Sequence, residues 1–271
     1  MSHDLSLILA AVLYVVSAGL LFYAIGKRSE RLQNVAFWLA AGGVLAHALA
    51  QYQHWFAGTV PDVSLAPLLS LCALVIILLL IASALSEKRL FTAGLVALPL
   101  AALVVLLELV IPHQPFTLDN LSTGIAVHLV SSVLAFGLLS ISGVYAFFVF
   151  VIDHFLRHHN LNPVVRNLPP LEVIESLLFR LIGVGFLMLT VSLVSGIVFI
   201  NDIFAQHLVH KTILSILTWL IFGVLLFGRW RYGWRGSVAV RLTLAGVVLL
   251  ILSYFGTKLV LEVILGRSWQ S

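Results

Sequence analysis

The chain has 271 residues, of which 61% are hydrophobic and 10% charged, with a formal net charge of +4. At a mean hydropathy of +1.13, it carries more apolar surface than one water-soluble core of this length can hide, so the composition excludes a soluble globular protein and implies an integral membrane one. With no soluble segment to present a basic surface, nucleic acid is also excluded as a partner, and lipid is the expected surroundings.

Apolar runs near the ~20 residues that an α-helix needs to cross ~30 Å of hydrocarbon recur along the chain. In order they predict eight spans: Leu5–Ile25, Val35–Phe56, Leu65–Leu85, Leu90–Ile111, Leu121–Val151, Leu177–Ile200, His207–Phe227 and Val238–Leu265. Helices are required because lipid offers backbone amides no partner, and the runs lack the period-two alternation of a barrel strand. The first run has no basic region ahead of it, and its charges Lys27, Arg28 and Arg31 follow it, so it reads as a span and not as a cleaved signal. The expected fold is therefore an all-α integral membrane protein, a single bundle of eight transmembrane helices over residues 1–271.

Charge sets the orientation. Twelve of the fifteen Lys and Arg residues flank the breaks after the first, third, fifth and seventh spans, and only Lys211, Lys258 and Arg267 fall toward the other side. The positive-inside rule then places both termini outside the cytoplasm. The longest loop, His154–Pro170, is cytoplasmic and leads into a span whose early acids, Glu172 and Glu175, suit a helix N-terminus. No internal repeat is evident. The single cysteine, Cys72, lies within the third span, which leaves no CxxC pair and no thiolate cluster. There is no GxxxxGK[ST] phosphate loop either, so a nucleotide-driven pump is excluded for this chain alone.

The ten histidines are not spread evenly. His3 reads as tail, and His154, His158 and His159 read as a solvated basic face. His47 and His54 fall in the outer half of the second span, His113 in an outer loop, His128 about two turns into the fifth span, and His207 and His210 at the start of the seventh. His47 and His54, seven apart, share a helix face, as do His207 and His210, three apart. Ser131, Ser132 and Ala135 follow His128 on its own face and leave room for a neighbouring helix or a flat ligand. Taken singly, each histidine fits ordinary helix packing; as a cluster on one side of hydrocarbon they call for a functional reading.

Zinc or manganese would want acidic ligands, which are scarce on that side (Glu108, Asp119, Asp202), and softer metals would want sulfur. Haem suits the inventory better: its iron takes axial imidazoles from different helices, its porphyrin an apolar slot, and its propionates a cation such as Lys211 at the water boundary. Trp55, Phe56, Phe116 and Trp219 lie near the same level and read first as an interfacial aromatic belt.

The stretches "LPPLEVIESLLFRLIGVGFLMLTVSLVSGIVF" (168–199) and "KTILSILTWLIFGVLLFGRWRYGWRG" (211–236) carry a resemblance. Leu168, Pro169, Leu171, Arg180, Gly185, Phe186, Thr190 and Gly196, then Lys211, Thr218, Trp219, Arg229, Gly233, Trp234 and Gly236, then Tyr254, Phe255 and Gly256 are similar to the C-terminal half of the cytochrome c assembly protein family, the CcsA- and CcmC-like haem-handling membrane proteins. With His128, which matches a family haem-ligand position, the resemblance covers roughly residues 120–260. The tryptophan-rich WWD segment of full members is replaced by "NDIFAQHLV" (201–209), Phe227 stands where the family has a histidine, and no histidine follows the last span. That pattern resembles the short WWD-less branch, YpjD-like and HemX-like.

The resemblance implies haem binding or an accessory role in haem handling or cytochrome c assembly, with no enzymatic activity, and other assembly or haem-biosynthesis proteins as partners. The expected site holds haem b, its iron between His128 and His210, with Lys211 near a propionate and His207, His47 and His54 as alternative or transient ligands. The competing expectations are a non-enzymatic regulator or scaffold of haem biosynthesis and, behind it, a small-molecule transporter using Glu108, His128 and Lys258.

Overall fold

The computed structural model describes residues 2–56, 64–111, 122–157, 170–199 and 206–256, with only the backbone described at Phe56, Leu65, His154, Leu156, Arg157 and residues 206–210. The helices are α1 (His3–Lys27), α2 (Glu30–Phe56), α3 (Leu65–Ser86), α4 (Gly94–Val110), α5 (Thr123–Arg157), α6 (Leu171–Phe199), α7 (Gln206–Tyr232) and α8 (Ser237–Ile251). A 3₁₀ turn (Lys88–Ala93) leads into α4, and a π turn (Leu252–Gly256) continues α8. Among the described residues there is no strand, and eight helical segments are long and apolar enough to cross a membrane. Each overlaps one of the expected spans, and half of them run five or six residues past the apolar run at one end because polar residues extend the helix beyond the hydrocarbon; Ile200 of the sixth expected span and residues 257–265 of the eighth lie outside the described residues.

Burial is inverted relative to a soluble protein. Small and polar side chains such as Ser6, Ala10, Ser17, Ala36 and Ala40 are buried, while Trp38, Leu45, Leu85, Val110 and Trp230 stand exposed on the outer faces. Hydrocarbon accepts the large apolar groups, so close approach of small residues, and not hydrophobicity, decides which faces turn inward.

The chain forms two compact units. The first comprises residues 1–120 with 148–174, and within it α1 packs on α2 and α4, and α3 on α4 and α2. Its centre is filled by Leu7, Tyr14, Leu21, Ile77, Leu80 and Leu98. The second comprises residues 121–147 with 175–271, where α7 lies along α8 and its π turn. Leu139, Ile141, Tyr145, Phe222 and Leu250 are buried there.

Candidate functional site

In the second unit, the N-terminal part of α5, the C-terminal part of α6, the start of α7 and the π turn after α8 carry the candidate residues. His128 of α5 is held by its Nδ1, 2.8 Å from the carbonyl oxygen of Ser192 on α6. A carbonyl can only accept, so Nδ1 carries the proton and donates it, and Nε2 is the nitrogen with a lone pair to offer. Gly196, one turn further along α6, makes room for the ring: a Cβ there would lie 3.1 Å from His128 Cε1 and 3.2 Å from Nδ1. Ser131 and Ser132 turn their hydroxyls back onto the carbonyls of Val127 (2.7 Å) and Leu129 (2.9 Å) of their own helix, and so contribute smallness and no ligand atoms.

Lys211 enters from α7. Its Nζ lies 5.5 Å from the centre of the Tyr254 ring, and its charge is within electrostatic reach of the His128 imidazole. Its backbone carbonyl accepts from Ser253 Oγ (3.0 Å), which also meets Ser215 Oγ at 2.6 Å. Ser253 and Tyr254 belong to the π turn, so the widened backbone there presents both groups toward the start of α7. His207 and His210 lie in the first turns of α7, where the side chains are outside the described residues. His113 and Lys258 are outside the described residues altogether, as are Phe116, His158, His159 and Arg166.

The first unit places its histidines differently. His47 is fully buried, with Nδ1 3.3 Å from Tyr14 Oη and Nε2 2.8 Å from Ser70 Oγ. Both ring nitrogens are thus engaged, and metal ligation would cost a hydrogen bond. His54, seven residues on, stands with His3 of α1 and Glu108 of α4, their ligand atoms all within 4.8 Å of one another. The sequence reading missed His3 in this role because it looked like tail; instead it opens α1, capped by Ser2. The available signal was that His3, His54 and Glu108 all fall at the same end of their spans.

The aromatic belt is also partly redirected inward. Trp219 donates from Nε1 to Thr190 Oγ1 (2.9 Å) and stacks on Phe186 at 5.4 Å, while Thr190 Oγ1 donates to the Phe186 carbonyl (2.8 Å). At the opposite end of the unit, Glu175 Oε1 accepts from the Gly236 amide (2.8 Å) rather than serving its own helix start. Arg229 Nη1 donates to the Trp234 carbonyl (3.2 Å) and its guanidinium lies 4.6 Å over the Phe179 ring. The turn needs its glycines: Gly233 and Gly236 have φ of 67° and 61°, and the Trp234 ring sits against Gly228, where any Cβ would overlap it.

These residues are the ones by which the sequence resembles a known group, and the comparison with protein families agrees. The model of the family described as Cytochrome C assembly protein matches residues 5–265. The chain belongs to the cytochrome c assembly protein family. Within it, the chain is 29% identical to the inner membrane protein YpjD of Escherichia coli (strain K12) over 262 residues, covering 95% of this chain and 98% of that protein. It is 33% identical over 95 residues to the cytochrome c biogenesis protein CcsA of Prochlorococcus marinus (strain MIT 9303), which is 34% of this chain and 30% of that protein. An uncharacterized 28.8 kDa protein of Azospirillum brasilense is 32% identical over 144 residues, 52% of this chain and 53% of that protein. No solved structure matches the chain. As a cytochrome c assembly protein it is a multi-pass membrane protein, and within it Phe186, Thr190 and Trp219 join α6 to α7, while Arg229, Gly233, Trp234 and Gly236 shape the turn into α8.

Proposed function

We propose that this cytochrome c assembly protein is a haem-binding, non-catalytic accessory factor of the bacterial inner membrane, holding haem b at the extracytoplasmic end of its second unit. Family membership supports a role in cytochrome c biogenesis or haem handling, and the likeness to the inner membrane protein YpjD supports the location. The observation that carries the finer reading is His128: Nδ1 is committed to the Ser192 carbonyl, the arrangement that metal-ligating histidines use to fix tautomer and ring orientation while Nε2 ligates. Haem, when bound, supplies an iron that takes two axial ligands and a porphyrin with two anionic propionates. His128 and His210 would hold the haem iron and Lys211 would meet a propionate, with His207, one turn from His210, as the alternative ligand. His47 and His54 belong to the first unit, where both His47 ring nitrogens are engaged and His54 stands beside His3 and Glu108, and the proposal assigns them no axial role.

The test is a visible absorption spectrum of the detergent-purified protein, oxidised and reduced, beside the His128→Ala and His210→Ala variants. A sharp low-spin spectrum in the parent that is lost or turns high-spin in either variant is expected. A parent that stays colourless when supplied with haem, or a double variant with an unchanged spectrum, overturns the assignment. The colourless result would instead favour a HemX-like regulator or scaffold, in which Arg157, His158, His159 and Arg166 meet a soluble partner.

A further inference from the structure

At the extracytoplasmic end of the first unit three helices deliver three ligand groups to one place. His3 opens α1, His54 ends α2 and Glu108 ends α4, and one donor atom from each lies within 4.8 Å of the other two. His3 Nε2 is already 3.7 Å from Glu108 Oε1, and the His3 and His54 rings are 5.5 Å apart. The Glu108 side chain is only 1% exposed, in a helix that crosses hydrocarbon. A carboxyl buried there either takes up a proton or meets a cation. One protonated histidine would answer it, but two imidazoles converge here, and protonating both would set like charges side by side. A metal ion uses both rings in their neutral form.

The surrounding groups fit the same purpose. His3 Nδ1 is 3.3 Å from Asp4 Oδ1, so its second nitrogen is oriented by a carboxylate. Gln51 Nε2 donates to Glu108 Oε2 (3.4 Å), and Gln51 Oε1 in turn accepts from Trp55 Nε1 (3.1 Å). Outer partners of this kind aim and tune metal ligands. An open cavity of about 470 Å³, lined by His3, Asp4, His54, Glu108 and residues 109–111, leaves room for a fourth ligand.

We propose that His3, His54 and Glu108 bind one divalent transition-metal ion of the zinc class, with water or a small exchangeable ligand from the cavity in the fourth position. Two imidazoles and a carboxylate with one open place form a recurrent zinc donor set, and donor atoms around a tetrahedral ion with ~2.0–2.1 Å bonds sit about 3.3 Å apart. The present separations, up to 4.8 Å, are wider than that, so binding requires the three side chains to draw closer together. The site is separate from the haem reading and stands or falls without it.

The experiment uses the full chain in detergent, carrying an affinity tag without histidine, stripped of metal and titrated with Co²⁺ and then Zn²⁺. Expected are the intense ligand-field bands of four-coordinate Co²⁺ at one equivalent and their loss when Zn²⁺ displaces it, with Mg²⁺ and Ca²⁺ having no effect. His3→Gln, His54→Gln or Glu108→Gln should each weaken binding more than a hundredfold, and Gln51→Leu about 10–100-fold, the range seen for outer partners. The same bands in a His128→Ala/His210→Ala background would keep the result independent of haem. Absence of the bands in the parent chain, whose folding no substitution disturbs, overturns the proposal, as does Zn²⁺ affinity unchanged when His3, His54 and Glu108 are all replaced.

Discussion

Three histidines within the spans have three different sets of partners. His128 is tied by one nitrogen, His47 by both, and His54 stands in a group with a second imidazole and a carboxylate. The difference lies in the neighbours' side chains, which local sequence around each histidine does not announce. It has measurable consequences. Gly196→Ala would put a methyl group 3.1 Å from His128 Cε1, so the ring must shift by a few tenths of an ångström against its bond to the Ser192 carbonyl. The expected outcome is a broadened or partly high-spin haem spectrum with the protein still folded, checked by visible absorption and circular dichroism. His47→Leu removes the shared partner of Tyr14 and Ser70. Stranding two buried hydroxyls should cost about 1–2 kcal/mol, allowing for the weak net value of hydrogen bonds between membrane helices. Thermal unfolding in detergent measures it, and the haem spectrum should be unchanged.

Among elements, the turn from α7 into α8 is the clearest case of tertiary contact fixing local form. Two left-handed glycines permit the bend, but Glu175 from α6, reaching the Gly236 amide, and Arg229, reaching the Trp234 carbonyl, hold it shut. Glu175→Ala should therefore destabilise the second unit by about 1–3 kcal/mol, the value of a charge-assisted hydrogen bond partly offset by water, while Glu175→Gln, which keeps an acceptor oxygen, should recover at least half. Denaturant unfolding of the two variants beside the parent reads this directly. Glycine has a second use within α2. A Cβ on Gly43 would come within 2.8 Å of the Tyr14 ring, so the close approach of α1 to α2 rests on that position, and Gly43→Leu should disturb both the packing and the Tyr14–His47 bond.

For the whole molecule, the asymmetric Lys and Arg distribution carries the clearest prediction, that both termini lie on the extracytoplasmic side. Alkaline phosphatase fused after α8 or after α6 should be active, and the same reporter fused after α5 or α7 inactive; the opposite pattern would move every candidate site to the cytoplasmic face. Helix number and order were legible in the sequence, and boundaries to within about two turns, because crossing hydrocarbon imposes a minimum length of apolar residues that nothing else in the chain imitates. Family membership was legible too, from the resemblance carried by residues such as Phe186, Thr190, Trp219, Arg229, Gly233, Trp234 and Gly236, which the structure places where α6, α7 and the following turn meet. The gathering of His3, His54 and Glu108 was not, for their separation along the chain carries no helical period linking them. By itself the sequence determined that this is a helical membrane protein, which segments cross, and which residues are too polar to lie in lipid without a partner. Only the tertiary structure decided who those partners are, because between membrane helices position is set by the close fit of small residues such as Gly43 and Gly196, which bring groups distant in the chain to within bonding distance.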